Sequence, residues 1–147
     1  TNALTREQVF TLITFLNRIP QFTAIIIYAP EDAAKAMRVW EATEGGQCLI
    51  YPEQGTASLA EIASLLEGAF CVVTPDTAVV HLASAMCTPV LGFFCSPRAP
   101  LWRPYGVDHE MVIAESEQPV SSIASAKMIE AVKSFLSTLQ DKEKASG

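Results

Sequence analysis

Residues whose types suit anion binding lie where an apolar run gives way to a helix pattern. Residues 72–75 end the run, Asp76 and Thr77 follow, and His81 comes four residues after Thr77. The N-terminus of a helix carries unpaired N–H groups and the positive end of the helix dipole, which suit a pyrophosphate. Because residues four apart share a helix face, we expect His81 to face the same pocket as Thr77.

These residue types also have structural roles in many proteins. Asp and Thr are preferred helix N-caps, and local chemistry alone favours that role for Asp76. A single His on an otherwise apolar helix is more often a core residue bonded to a backbone carbonyl than a ligand contact. The spacing between Thr77 and His81 favours the functional interpretation.

Length and charge narrow the classes of function. The 147 residues suffice for about one domain with its own core. The net charge of -6 and the absence of a Lys/Arg cluster argue against nucleic-acid binding, so backbone dipoles and a few cations must bind an anionic ligand. No apolar run reaches the about 18 residues of a membrane span, and the N-terminus lacks a signal-peptide pattern. We therefore expect a soluble, cytoplasmic domain.

The cysteines and missing motifs exclude other chemistry. Three of the four cysteines lie in or beside apolar runs, and none shows Cys-x-x-Cys spacing, which favours structural thiols over disulfides or a zinc site. No Asp-x-Asp motif occurs, so no bound metal is expected. No Gly-x-Ser-x-Gly elbow occurs, which disfavours a triad hydrolase. The cysteines are Cys48, Cys71, Cys87 and Cys95.

Helix and strand patterns alternate along the chain. Capping boxes at Thr5-x-x-Gln8 and Ser58-x-x-Glu61 predict two helix starts. The alternation predicts a parallel α/β sheet with helices on both faces, whose ligands bind at the carboxyl ends of the strands. Strands are expected at 22–28 (covered on both faces), 47–51, 69–74, 89–94 and, at an edge, 111–113, and helices at 5–19, 30–42, 58–67, 77–87 and 122–139, before a frayed tail.

Several motifs in order resemble the donor-binding half of the lipopolysaccharide heptosyltransferase family (glycosyltransferase family 9), which are inverting, ADP-heptose-using enzymes of the GT-B type. The resemblance implies the C-terminal half of a GT-B enzyme. Residues 1–147 would then form one nucleotide-sugar-binding domain with a Rossmann-like parallel sheet flanked by helices. The resembling segments are 29–32, 58–63, 68–69, 72–77, 81–85, 88–90 and 102–106.

The resemblance also implies roles for individual residues. In the family, the Asp-Thr segment and the following helix N-terminus contact the donor diphosphate and sugar, and the His lies close to the donor. The corresponding residues here are Asp76, Thr77, Ala78 through its N–H, and His81. The family usually has Gly at the position of Ala78, which lets a phosphate approach the backbone more closely.

Further contacts are implied in two other loops. In the family, an acid in the loop after an earlier strand binds the ribose hydroxyls. The corresponding residue here is Asp32 or Glu31, which follow the strand predicted at 22–28. Both acids would equally complement the dipole of a helix. Arg103 is a candidate phosphate contact in a loop whose aromatic residues suggest simple packing. The family's Gly-Pro-Thr turn is replaced by residues 95–97, Cys-Ser-Pro.

For the parent protein, the resemblance implies transfer of heptose or a related sugar from ADP-heptose to the lipopolysaccharide inner core. It also implies that the parent enzyme is peripheral to the inner membrane. Two parts of the family's enzymes have no counterpart before Thr5. One is the first strand of the donor domain, with its Thr and Lys, and the other is the N-terminal domain, with the acceptor site and the catalytic base. We expect no catalytic residue, no cofactor, an inactive isolated chain, and self-association through an open sheet edge. The alternatives are a non-catalytic GT-B-like interaction module and a GT-B enzyme that uses another nucleotide sugar, such as a UDP-sugar.

Overall fold

The computed structural model describes residues 3–43, 48–95, 106–115 and 117–146. The chain divides into two compact units, Leu4–Glu61 and Ile62–Gly147. One parallel sheet of two strands and one of three strands lie among the described residues. Parallel sheets flanked by helices confirm the predicted fold class, although the strands are divided between two sheets where the sequence predicted one.

In the first unit, helices pack against one face of a two-stranded sheet. The Thr5 hydroxyl accepts from the Gln8 N–H at 3.0 Å and the Gln8 side chain accepts from the Thr5 N–H at 2.9 Å, so the predicted capping box is confirmed. Ile26 and Ile50 pair in register and join Ile13 and Val39 in the core. The elements are α1 (Arg6–Leu16), β1 (Ile25–Ile27), a 3-10 turn (Pro30–Asp32), α2 (Ala33–Ala42) and β2 (Leu49–Tyr51).

The other face of this sheet is only partly covered. Ile25 and Leu49 are paired in register and are 40% and 55% exposed. The expectation that residues 22–28 form a strand covered on both faces is therefore wrong. The strand is also shorter than predicted, because the Phe22 N–H donates to the Ile19 carbonyl in a turn.

Helix α3 (Leu59–Glu67) follows, and its N-terminus has the predicted capping box. The Glu61 N–H donates to the Ser58 hydroxyl at 3.1 Å, and the Glu61 carboxylate accepts from the Ser58 N–H at 3.3 Å. At the other end of the helix, the Leu66 carbonyl accepts from the buried Thr88 hydroxyl at 2.7 Å. These bonds join the first turn of α3 to Ser58 and its last turn to Thr88.

The second unit is built around a buried central strand. The order is β3–β4–β5, every residue of β4 is buried, and β5 lies at the edge of the sheet, as predicted. A Cβ on Gly92 would lie 2.4 Å from the Phe94 ring, so glycine lets that ring pack against the strand. The elements are β3 (Val72–Pro75), α4 (Ala78–Ala85), β4 (Val90–Phe94), β5 (His109–Ile113), a 3-10 turn (Val120–Ser122) and α5 (Ser125–Ser146).

Helix α5 is longer than the sequence predicts. Its buried side chains end at Leu139, but the helix continues to Ser146, so the expectation of a frayed tail is wrong. Lys142 forms an ion pair with Asp108 at 2.7 Å, which contributes to holding the extension. Within the described parts of the chain, no helix has the length and hydropathy needed to cross a membrane.

Candidate functional site

The junction between β3 and α4 lies at the carboxyl end of a strand. The Asp76 N–H donates to the Phe93 carbonyl at 2.9 Å and so extends the pairing with β4. Thr77 then caps α4, because its hydroxyl accepts from the Val79 N–H at 3.2 Å. The N-cap is thus Thr77, and the purely structural interpretation of Asp76 as an N-cap is wrong.

A second threonine holds the cap in place. Thr74 is buried, its hydroxyl donates to the Pro75 carbonyl at 3.0 Å, and it lies 3.3 Å from the Thr77 hydroxyl. The two hydroxyls are therefore within hydrogen-bond distance across the turn. This contact sets the position of the first turn of α4 relative to β3.

The first turn of α4 presents its candidate residues to solvent. Thr77, Ala78 and His81 are exposed and Asp76 is partly buried, whereas Val80 and Ala83 are completely buried. His81 is therefore not a core histidine, and that structural interpretation is wrong. The structure brings Asp76, Thr77, Ala78 and His81 together at one accessible helix start. Their part in ligand binding stays a prediction.

Glu31 and Asp32 lie together in the first unit, in the turn that follows β1. Both are exposed. Asp32 occupies the N-cap position of α2, but its side chain makes no capping hydrogen bond. Their carboxylates are accessible to a ligand, while ribose binding stays a prediction. Arg103, Ser96 and Pro97 lie outside the described residues.

Two tyrosines at the ends of β1 and β2 are site features that the sequence reasoning missed. The Tyr28 hydroxyl donates to the Pro52 carbonyl at 2.6 Å, and the Tyr51 hydroxyl donates to the Glu61 carboxylate at 2.6 Å. The Tyr51 bond holds the pKa of Glu61 below its ordinary value of 4.5, and the same bond raises the pKa of Tyr51 above 10.0. A tyrosine at the end of each strand was the signal available in the sequence.

Cys48, Cys71 and Cys87 are free thiols. Burial raises the pKa of the Cys48 thiol and raises that of Cys71 to about 11, although Cys71 as a whole residue is only partly buried. Cys87 is exposed. In the part of the chain that the structure describes, no group of three or more His, Cys, Asp or Glu side chains is arranged to hold a metal ion.

Solved structures share this fold. A glycosyltransferase of family 9 from Veillonella parvula DSM 2008 is 14% identical with a TM-score of 0.75, over 92% of this chain and 42% of its own. The E. coli heptosyltransferase WaaC with ADP is 19% identical with a TM-score of 0.75, over 91% and 40%. E. coli ADP-heptose lps heptosyltransferase II is 16% identical with a TM-score of 0.70, over 91% and 42%. The chain thus spans about two fifths of the length of these relatives.

The sequence comparison with protein families identifies the same group. No curated protein matches the chain significantly. The sequence model described as "Glycosyltransferase family 9 (heptosyltransferase)" matches residues 16–131, which include Asp32, the β3–α4 junction and His81. The resemblance inferred from the sequence motifs is confirmed, and the chain belongs to glycosyltransferase family 9, the heptosyltransferases.

Proposed function

We propose that this chain is the nucleotide-sugar-binding part of a family 9 glycosyltransferase and that its donor is ADP-heptose or a closely related ADP-sugar. The family match and the α/β fold support a glycosyltransferase parent. The structure of the E. coli relative with ADP supports an adenine nucleotide as the ligand. The proposed single domain over residues 1–147 comprises both compact units.

The exposed start of α4 is the observation that carries this proposal. The Val79 N–H bonds to the Thr77 hydroxyl and the Val80 N–H to the Thr77 carbonyl, which leaves the Ala78 N–H for an anion. The donor diphosphate binds at this N–H and at the positive end of the helix dipole. Thr77 and His81 flank it on the same exposed side of the helix.

We assign the carboxylates to hydrogen bonds with the uncharged sugar and ribose hydroxyls of the donor. An ionised carboxylate is only an acceptor, so Asp76 suits sugar hydroxyls rather than phosphate oxygens. For the same reason Asp32 or Glu31, both exposed after β1, accepts from the ribose hydroxyls. Arg103 is the candidate for a further phosphate contact.

The contribution to catalysis is stabilisation of the leaving group. As the bond from the anomeric carbon to the diphosphate breaks, negative charge grows on the phosphate, and preoriented N–H donors and a helix dipole stabilise it. A carboxylate base in another part of the parent enzyme deprotonates the acceptor hydroxyl, which attacks with inversion. The acceptor is the lipopolysaccharide inner core, and the parent acts in the cytoplasm at the inner membrane. The chain alone is inactive.

The test is an NMR titration of the isotope-labelled 147-residue chain with ADP, with UDP as the matched control. We expect ADP to shift the amides of residues 76–81 and those near Glu31 and Asp32, and UDP to bind more weakly. Shifts confined to other residues would exclude the assigned site. Tighter binding of UDP would indicate an enzyme with another donor, and a folded chain that binds neither would indicate an interaction module.

A further inference from the structure

The loop of residues 52–57, which joins β2 to α3, is anchored by tyrosines near both ends. At its start, the Tyr28 hydroxyl donates to the Pro52 carbonyl at 2.6 Å. Tyr51, which directly precedes the loop, donates from its hydroxyl to the carboxylate of Glu61, beyond the end of the loop, at 2.6 Å. The loop contains Gly55 with a φ of +70°, a conformation that other residues rarely adopt. One hydrogen bond therefore holds the first residue of the loop, and the other joins the strand before the loop to the helix after it.

The bond from Tyr51 is additional to the capping of α3. In the capping box, one oxygen of Glu61 accepts from the Ser58 N–H at 3.3 Å, and the Ser58 hydroxyl accepts from the Glu61 N–H at 3.1 Å. These two bonds are sufficient for the start of a helix. Tyr51 binds the other carboxylate oxygen, at 2.6 Å. The phenol therefore connects the last residue of β2 to the first turn of α3.

The anchored loop lies at the end of the sheet where ligands of parallel α/β folds bind. Ile27 and Tyr51 are register partners at the carboxyl ends of β1 and β2. The turn with Glu31 and Asp32 follows β1 at this end, and the loop follows β2 at the same end. The loop and the turn therefore follow neighbouring strands at the same end of the sheet.

We propose that Tyr51 is a positioning residue, which holds the 52–57 loop through Glu61 in the shape that the nucleotide site requires. That the ligand is a nucleotide rests on the proposed function, whereas the ordering of the loop by Tyr51 does not. Fixing the backbone of each loop residue costs entropy, and a loop ordered before binding does not incur that loss when the ligand arrives. Tyr51 thus raises affinity without touching the ligand.

The experiment compares the wild-type chain with Tyr51→Phe, which removes one oxygen and retains the ring. Backbone relaxation by NMR reports the order of residues 53–57, and calorimetry reports the Kd for ADP. We expect lower order parameters in the loop, unchanged hydrogen exchange in β1 and β2, and an affinity for ADP about threefold to tenfold weaker, as expected for one net hydrogen bond. Glu61→Gln provides the second arm, and the double variant is expected to lose little more than Tyr51→Phe does.

Each result distinguishes the positioning role from direct ligand contact and from a bond that only stabilises the fold. An unchanged loop in Tyr51→Phe overturns the proposal, and so does weaker ADP binding with an ordered loop, which indicates direct contact. A lower unfolding midpoint with normal loop order and normal affinity indicates a merely structural bond and also overturns it. If the wild type binds no ADP, the proposed function fails, and loop order measured without ligand still decides whether Tyr51 positions the loop.

Discussion

The hydroxyls of Thr74 and Thr77 lie 3.3 Å apart, one at the end of β3 and the other at the N-cap of α4. Thr74 is buried and Thr77 is exposed, so the contact connects the sheet to the accessible start of the helix. Because Ala78 follows directly, the direction of its N–H depends on this pair. The two threonines therefore position the N–H group at which the diphosphate is proposed to bind.

Replacing Thr77 with Ala is expected to destabilise the chain by about 1 kcal/mol, because the Val79 N–H loses its capping acceptor. Thr77→Ser keeps the hydroxyl and should remain close to wild type. Urea unfolding followed by circular dichroism measures both free energies. Equal stability of Thr77→Ala and Thr77→Ser would contradict the capping role.

Local chemistry explains which features could be predicted from the sequence. The capping boxes at Thr5 and Ser58 were predicted because each lies within four residues. Local chemistry favours Asp76 as the N-cap of α4, but the structure has Thr77 there, because the Asp76 N–H bonds to the Phe93 carbonyl in another strand.

Other features depend on contacts between distant parts of the chain. The bond from Tyr51 to Glu61 spans ten residues, and its existence depends on how the loop between them folds. The exposure of Ile25 is likewise invisible in an apolar run, because such a run does not show which face the helices cover. Anion-site candidates could thus be proposed from residue types, but the tyrosine anchors could not.

Gly92→Ala should destabilise the chain by about 1–3 kcal/mol, the range for overpacking a core. The added Cβ would lie 2.4 Å from the Phe94 ring in a strand that is completely buried. Gly68→Ala is the matched control, because its Cβ would find its nearest atom at 3.8 Å. Thermal unfolding of both variants is the measurement. A Gly92→Ala variant as stable as Gly68→Ala would refute the close approach of the Phe94 ring.

The bond between Tyr51 and Glu61 should make stability depend on pH at both ends of the range. The pKa of Glu61 is lowered from 4.5, so its contribution is complete above that value and is lost as the pH falls through the lowered pKa. The pKa of Tyr51 is raised from 10.0, so its contribution is complete below that value and is lost as the pH rises through the raised pKa.

An NMR titration that follows the carboxyl carbon of Glu61 tests the lowered pKa of this residue. In Tyr51→Phe its pKa should move up toward 4.5, because the hydrogen bond from the phenol is the largest cause of the shift. An unmoved Glu61 pKa in Tyr51→Phe would show that the bond is not formed in solution.

The cysteines should differ in their reactivity toward iodoacetamide under native conditions. At pH 8 a thiol with a pKa of about 11 is ionised in only about one molecule in a thousand, and the thiolate is the reactive form. Cys71 should therefore be alkylated slowly, and Cys87, which is exposed, should react first. Mass spectrometry of the peptides gives both rates, and the difference should vanish in denaturant. Faster native labelling of Cys71 would contradict its burial.

His81→Ala should weaken ADP binding, because His81 shares the exposed side of α4 with Thr77 and Ala78. Loss of one hydrogen bond to a charged phosphate should lower the affinity by about tenfold or more. His109 is the matched control, since it is the other histidine, is exposed, and lies in β5 with its ring 3.0 Å from the Val107 carbonyl. Calorimetry measures the Kd for ADP of the wild type, His81→Ala and His109→Ala. If His81→Ala and His109→Ala lost the same affinity for ADP, the contribution of His81 would not be specific to the proposed site.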